Sequence, residues 1–323
     1  MRWEICKNEE CIMGTEISTP LSHIISHSPR EIDDAFEYCA HITNAHYENF
    51  PVASLFLPNE KRPYIQAIYA FARTADDFSD EGNLSVSERL QKLEEWQTQL
   101  DLCFEQQSTH PIFIALEETI KRLHLPKEPF TDLITAFTMD VNKNCFADFE
   151  ELMFYCKHSA NPVGRLVLLV FGYSEKELFQ YSDNICTALQ LTNFWQDVSI
   201  DLKKNRMYIP QDEMQQYDCS SEYWSNGAMN EKFRAMMKFQ VERTKQLFYD
   251  GTELLNLVDK DLRLELRLVW FGGMKILRKI EKQQYDVLRK RPQLNMFNKF
   301  SVFWKAMVAK NYYQNIESPA RWD

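Results

Sequence analysis

Apolar residues return every three or four positions through almost the whole chain, and no stretch alternates apolar and polar residues between hairpin turns. That spacing builds helices and leaves nothing to pair into a sheet. Only 8 glycines occur in 323 residues, so the tight turns of a β-protein are scarce as well. The expected fold class is all-α. Ser28-Pro29 reads as the N-cap and first position of a helix running through Ile32, Phe36, Cys39 and Ile42 towards Asn49. After Leu57-Pro58-Asn59 a second helix is predicted over about 60–81, broken at Gly82-Asn83, with Ser85 opening the next. Further helices are predicted near 110–123, 128–143, 149–171, 175–200, 229–257, 260–289 and 295–315, with a polar surface loop over 217–230. Residues 1–28 read as a loose leader and 317–323 as a tail. The rest, 29–316, carries no repeat or linker and is expected to be one bundle of long helices around a central cavity.

Charge narrows the function classes. A net charge of −10 argues against a nucleic-acid partner, which needs concentrated Lys and Arg. It remains compatible with a phosphorylated ligand held through divalent metal ions. The 8 cysteines lack a CxxC pair or a regular framework and are expected to be reduced. No apolar run approaches the ~18 residues of a membrane span, and the N-terminus lacks a signal-peptide pattern. A cytoplasmic protein is expected, with peripheral contact at the inner face of the membrane left open. The last predicted helix bears on that contact: Phe297, Phe300, Val302-Phe303-Trp304, Met307 and Val308 alternate with Lys299, Lys305 and Lys310. It fits packing against the bundle better than resting on a bilayer.

The chemistry is concentrated in two acidic ladders. In Arg73-Thr74-Ala75-Asp76-Asp77-Phe78-Ser79-Asp80, Asp76 and Asp80 are four apart. With Tyr69 and Arg73 they form one polar helical stripe, opposite Ile65, Ile68 and Phe71-Ala72. Like charges one turn apart repel by a few tenths of a kcal/mol, about 0.2–0.5. A bound Mg²⁺ would remove that cost, because it binds through one or two carboxylates plus phosphate oxygens. Alone, the string also fits a solvated acidic helix end. The second ladder tips the balance. Asn193, Asp197 and Asp201 stand at i, i+4 and i+8, with Gln190 adjoining, on a helix otherwise carrying Leu191, Phe194, Trp195 and Val198. An oxygen-only stripe on an apolar helix points to a polar face turned into a cavity. Two such ladders could hold metals on both sides of one diphosphate, and hard oxygen ligands favour Mg²⁺, with Mn²⁺ as a substitute. Downstream, Lys203-Lys204-Asn205-Arg206 could neutralise a leaving diphosphate or simply satisfy a helix C-terminus. The lysines fit the second role better than Arg206 does.

These motifs, in this order from about His46 to Pro210, resemble the squalene/phytoene synthase family of head-to-head prenyl transferases. His46 to Pro58 and Tyr69 to Asp80 are similar to its entry helix and first Asp-rich motif. Tyr155 with Val163-Gly164 resembles the middle motif, and Gln190 to Pro210 the second Asp-rich motif with its Arg-x-Tyr-x-Pro tail. The resemblance implies an isoprenoid-synthase-type helical bundle. It implies that Asp76, Asp80, Asn193, Asp197 and Asp201 carry Mg²⁺, and that His46, Arg73, Asp77, Gln190, Gln196 and Arg206 surround diphosphate or substrate, with Tyr69, Tyr155 and Tyr208 nearby.

Some positions depart from the family pattern. Gln196 stands where an Arg is usual, Ile200 where a Glu is common, and Asn205 where a Gly precedes Arg206. One cation and one carboxylate are therefore missing from the edge of the site. The strings ENFPVAS from Glu48, SANPVGRLVLL from Ser159 and LTNFWQDV from Leu191 are similar to the hydroxysqualene synthase branch of bacterial hopanoid pathways. That branch implies ionisation of presqualene diphosphate and capture of the cation by water, without NADPH, with enzymes of the same pathway as partners. Two alternatives stand beside it: condensation of two farnesyl diphosphates to presqualene diphosphate or squalene, and a non-catalytic assembly relative. The intact ladders disfavour the last.

Overall fold

The computed structural model describes residues 24–45, 57–219 and 230–308. Helix α1 (Pro29–Ala45) begins where expected, because Ser28 and Glu31 cap it reciprocally. Ser28 Oγ accepts from Glu31 N–H at 3.3 Å, and Glu31 Oε2 accepts from Ser28 N–H at 2.8 Å. The same exchange between Ser85 and Glu88 starts α3 (Val86–Phe104). Between them lies α2 (Arg62–Asp80), which ends before Gly82, whose φ of +74° suits a glycine. Helices α4 (Pro111–Leu123) and α5 (Glu128–Asn142) each carry a proline in the first turn, where the missing N–H costs nothing.

The helix expected over 149–171 is two, α6 (Phe149–Ser159) and α7 (Asn161–Val170). Pro162 cannot donate to the turn before it and so starts a new helix. Next comes α8 (Lys176–Asp201), followed by a 3₁₀ turn at Leu202–Lys204 and a short α9 (Gln211–Gln216) that the sequence reading missed. The helix expected over 229–257 divides into α10 (Glu231–Asp250) and α11 (Leu254–Leu257). The one expected over 260–289 stops earlier, as α12 (Lys260–Lys282), because Gln284 and Tyr285 take φ of +52° and +62°. Last is α13 (Met296–Val308). His46 and residues 220–229 of the expected loop lie outside the described residues.

Two helices act as struts. Around α2 pack α1, α3, α4 and α5; around α8 pack α7, α10 and α12. The first core centres on buried Phe71, whose ring stacks on Trp96 at 5.9 Å and meets Phe113 and Phe130 edge-on at 5.9 and 5.5 Å. The second holds buried Trp195, which donates from Nε1 to Thr244 Oγ1 at 2.8 Å. Helix α7 belongs to both, sending Leu166 and Val170 into one and Leu168 into the other. The cavity described below lies along this seam.

Because Phe71 joins three aromatic partners, Phe71→Ala is expected to cost about 3–5 kcal/mol of stability. Denaturant unfolding checks it, and a midpoint unchanged from wild type would contradict a central role for this ring.

Candidate active site

Helix α2 turns Tyr69, Arg73 and Asp76 towards a cavity of about 470 Å³, and Asn193 of α8 reaches the same space. Ile65, Ile68 and Ala72, expected on the opposite face of α2, line it too, together with Phe137, Val163 and Val167. The cavity is thus polar at one end and apolar below, with walls from both cores.

Arginines organise the polar end. The Arg73 guanidinium sits among Asp76 at 3.3 Å, Glu81 at 2.6 Å and Asp77. Arg206 crosses from the other half of the bundle to Asp80 at 2.6 Å, and Lys204 joins the same carboxylate at 3.3 Å. Lys204 therefore does more than finish a helix: it links the second ladder's segment to the first ladder. The backbone delivers these cations by a sharp reversal. Asn205 takes φ of +58°, and Arg206 N–H donates to Asp201 O at 2.8 Å. Met207 N–H then pins the segment to Asn144 O at 2.7 Å. Asn205 fits where the family pattern has Gly, because Asn tolerates the left-handed region better than most residues.

Past that turn, Tyr208 stacks on Phe194 with ring centroids 3.7 Å apart, and on Phe146 at 5.8 Å. Tyr155 lies against the same group, and its hydroxyl donates to Asp140 Oδ2 at 2.9 Å. Gln196 does not reach the ladder's ligands. Its amide donates to the Pro292 carbonyl and holds the segment that carries Arg291. Arg291 in turn grips Asp197 through both carboxylate oxygens, Nη2 to Oδ2 at 3.0 Å. The cation missing at position 196 is thereby supplied from a distant segment. Gln190, half-buried, lies one turn from Asn193 on α8.

Burial and charge divide the carboxyl groups. Burial, with Asp80 and Asp77 adding to it against Arg73, pushes Asp76 up to about 6. Burial and then Asp197 push Asp201 up to about 7. Asp140 is also raised to about 7, mainly by burial, against the Tyr155 hydrogen bond and Arg206. Burial opposes ionisation of Asp80 too, but Arg206 and Lys204 outweigh it and hold its carboxyl below the ordinary range. Asp140, Arg291 and Glu81 escaped the sequence reading. Asp140 stands eight residues from the nearest other acid on α5, Asp132, and so forms no ladder, while Arg291 precedes Pro292 in a segment with no acidic pattern beside it.

Among the described residues no three Asp, Glu, His or Cys side chains converge closely enough to hold a metal ion by themselves. The donor set nevertheless suits Mg²⁺, which takes one or two carboxylates per ion and completes its shell with phosphate oxygens and water. The sites would be shared between the two ladders and a substrate.

A helical bundle with facing acidic helices over an apolar cavity defines the isoprenoid-synthase class of fold. The chain belongs to the squalene/phytoene synthase family, whose profile matches residues 43–298. It is 30% identical to a phytoene synthase of Arthrospira platensis over 84% of this chain and 92% of that one. It is likewise 30% identical to a 15-cis-phytoene synthase of Synechococcus elongatus, over 86% and 94%. Among solved structures it is similar to squalene synthase HpnC from Alicyclobacillus acidocaldarius, with 38% identity and a TM-score of 0.76 over 80% of this chain and 97% of that one. A dehydrosqualene synthase shares the fold at 22% identity and a TM-score of 0.78, over 88% and 98%.

The raised carboxyls carry a pH signature. Asp76, Asp140 and Asp201 hold protons more tightly folded than unfolded, so the metal-free fold binds extra protons between about pH 4 and 7. The contribution of these three groups to stability should be fully present below that window and fall as pH rises through it, while Asp80, held low by Arg206 and Lys204 against burial, contributes with the opposite sign. Asp140→Asn, which can still accept from Tyr155, is expected to flatten part of the slope. Denaturation midpoints from acid to neutral pH check this, and an unaltered slope would count against a protonated Asp140.

Proposed function

We propose that this chain ionises a long-chain isoprenoid diphosphate with Mg²⁺, and that its reaction converts presqualene diphosphate and water to hydroxysqualene and diphosphate. The observation that carries the ionisation step is the meeting of two oxygen-bearing helix faces, bridged by Arg206 and Asp80, above a cavity whose lower wall is hydrocarbon. The resemblance of three motif strings to the hydroxysqualene synthase branch, and the 38% identity to a squalene synthase, support the finer assignment.

In this reading Asp76, Asp80, Asn193, Asp197 and Asp201 would hold Mg²⁺, which when bound would supply Lewis acidity towards the diphosphate. Arg73 and Arg206 neutralise charge on the departing group. Tyr69 and Phe137 stand in the cavity wall, where aromatic rings would stabilise a cation. The apolar lining keeps stray water away from it. The names of the phytoene synthase relatives favour a second reading, condensation of two prenyl diphosphates by the same ionisation.

Incubation with Mg²⁺ and presqualene diphosphate, without NADPH, should give hydroxysqualene by mass spectrometry. Condensation products from a prenyl diphosphate, with presqualene diphosphate left untouched, would select the second reading. Asp76→Asn should lower turnover by about 100-fold or more without unfolding the protein.

An apolar product must also leave, and α13 offers a route to a bilayer. As expected, this helix packs against the bundle, on α12 through Val302, Phe303 and Ala306, but only Val302 and Ala306 are buried on it. Phe297 is 86% exposed, and Phe300, Trp304, Met307 and Val308 are exposed beside it. Burial and the neighbouring Arg278 and Lys275 lower the pKa of Lys305, so cations cluster there on a chain of net charge −10. Among the described residues no helix is long and apolar enough to cross a membrane. Peripheral docking on anionic lipid fits this face. Flotation with phosphatidylglycerol vesicles should retain the wild type and lose Phe297→Ser/Trp304→Ser. Equal flotation of both proteins would reject the face.

A further inference from the structure

Below the candidate active site lies a second, smaller cavity of about 150 Å³. It shares Ile65, Val163 and Val167 with the cavity under Asp76 and Asn193, so the two are neighbours along one wall. Helix α8 shows how they are stacked. Asn193 reaches the upper cavity, while Leu189 and Cys186 line the lower one on the continuation of the same face. At 1.5 Å per residue these levels are roughly 6–10 Å apart.

The lower wall is aliphatic with one charged exception, Glu265 of α12. Glu265 is 6% exposed, and among the described residues neither of its carboxyl oxygens has a hydrogen-bond partner. The two arginines nearest it on α12 donate to backbone carbonyls, Arg263 to Val258 O at 2.6 Å and Arg267 to Ala306 O at 3.4 Å. Burial alone pushes its carboxyl up to about 7, with no neighbouring cation opposing. A carboxyl left in this state destabilises a fold, and a leucine would suit the site better. Keeping it makes physical sense if a positive charge visits the cavity.

We propose that Glu265 is the negative counter-charge for a carbocation held in this hydrocarbon pocket. The inference rests on the ionisation reading above. When the C–O bond breaks, both electrons leave with the diphosphate and the positive charge stays on the hydrocarbon. Glu265 forms no bond to it and gives up no proton. It acts through space, where low dielectric makes a charge several ångströms away effective. The residue is a positioning group: it biases where along the chain the charge resides, and so where the cation is quenched.

Binding can be measured apart from turnover, with N,N-dimethylfarnesylamine (a cation at neutral pH) and the neutral farnesyl methyl ether, each with Mg²⁺ and inorganic diphosphate. Glu265→Gln, of equal size, should weaken the cation about tenfold and leave the ether within about twofold. Glu265→Asp should recover part of the preference, and Glu265→Gln should melt no lower than wild type. Equal effects on both ligands would overturn the proposal. Should Glu265→Gln fail to fold, the cation-to-ether preference of Glu265→Asp against wild type decides the matter in the same way. A wild type that turns over isoprenoid diphosphates without preferring the cation sinks the counter-charge alone. One that prefers the cation but ionises no diphosphate sinks the functional reading and keeps Glu265 as a cation site.

Discussion

The pairing of Arg206 with Asp80 is the contact on which the polar end of this bundle depends. It joins a residue beyond the C-terminus of α8 to the last turn of α2, across the seam between the two cores. Without cations there, Asp76, Asp80 and Asp201 would face one another in a partly buried space, and their mutual repulsion would add to the cost of burial. Each acidic group is answered by a cation from a different place in the chain. Arg73 answers from within α2, Lys204 and Arg206 from the reversal after α8, and Arg291 from beyond α12. The proposed metal-bound diphosphate would bring its charge to these cations.

Apolar packing sets the other half of the design. The two cores are filled by large rings, while α7 between them carries Val163, Gly164 and Val167 along the hydrocarbon walls. A Cβ at Gly164 would stand 2.4 Å from Ser182 Oγ and 2.5 Å from Cys186 Sγ, so this glycine sets how closely α7 approaches α8. That approach keeps the seam narrow enough to be a lined cavity and not an open groove.

Much of this was legible beforehand. Helix starts at Ser28 and Ser85 followed from capping chemistry, and both acidic ladders followed from i, i+4 spacing. Errors fell where local rules compete. Pro162 split a helix that periodicity alone joined, and Gln284 and Tyr285 ended another with backbone angles no propensity announces. On α13 the periodicity was read correctly, yet Phe297, Phe300, Trp304, Met307 and Val308 are exposed while only Val302 and Ala306 are buried, because a pattern reports a face and not what covers it. Gln196 looked like a lost cation; it is a tether for the segment that supplies one.

The sequence by itself determined the all-α class, the placement of the acidic ladders and the family, since these depend on spacing within single helices. Tertiary structure alone decided which charges meet. Arg291 and Asp197 are far apart in the chain, as are Lys204 and Asp80, and no periodicity links them. Nor could spacing reveal that Asp140 and Glu265 are buried, because burial is set by the neighbours that close over a side chain. The upward shift of both acids follows from that enclosure, and so belongs to the fold and not to the residue.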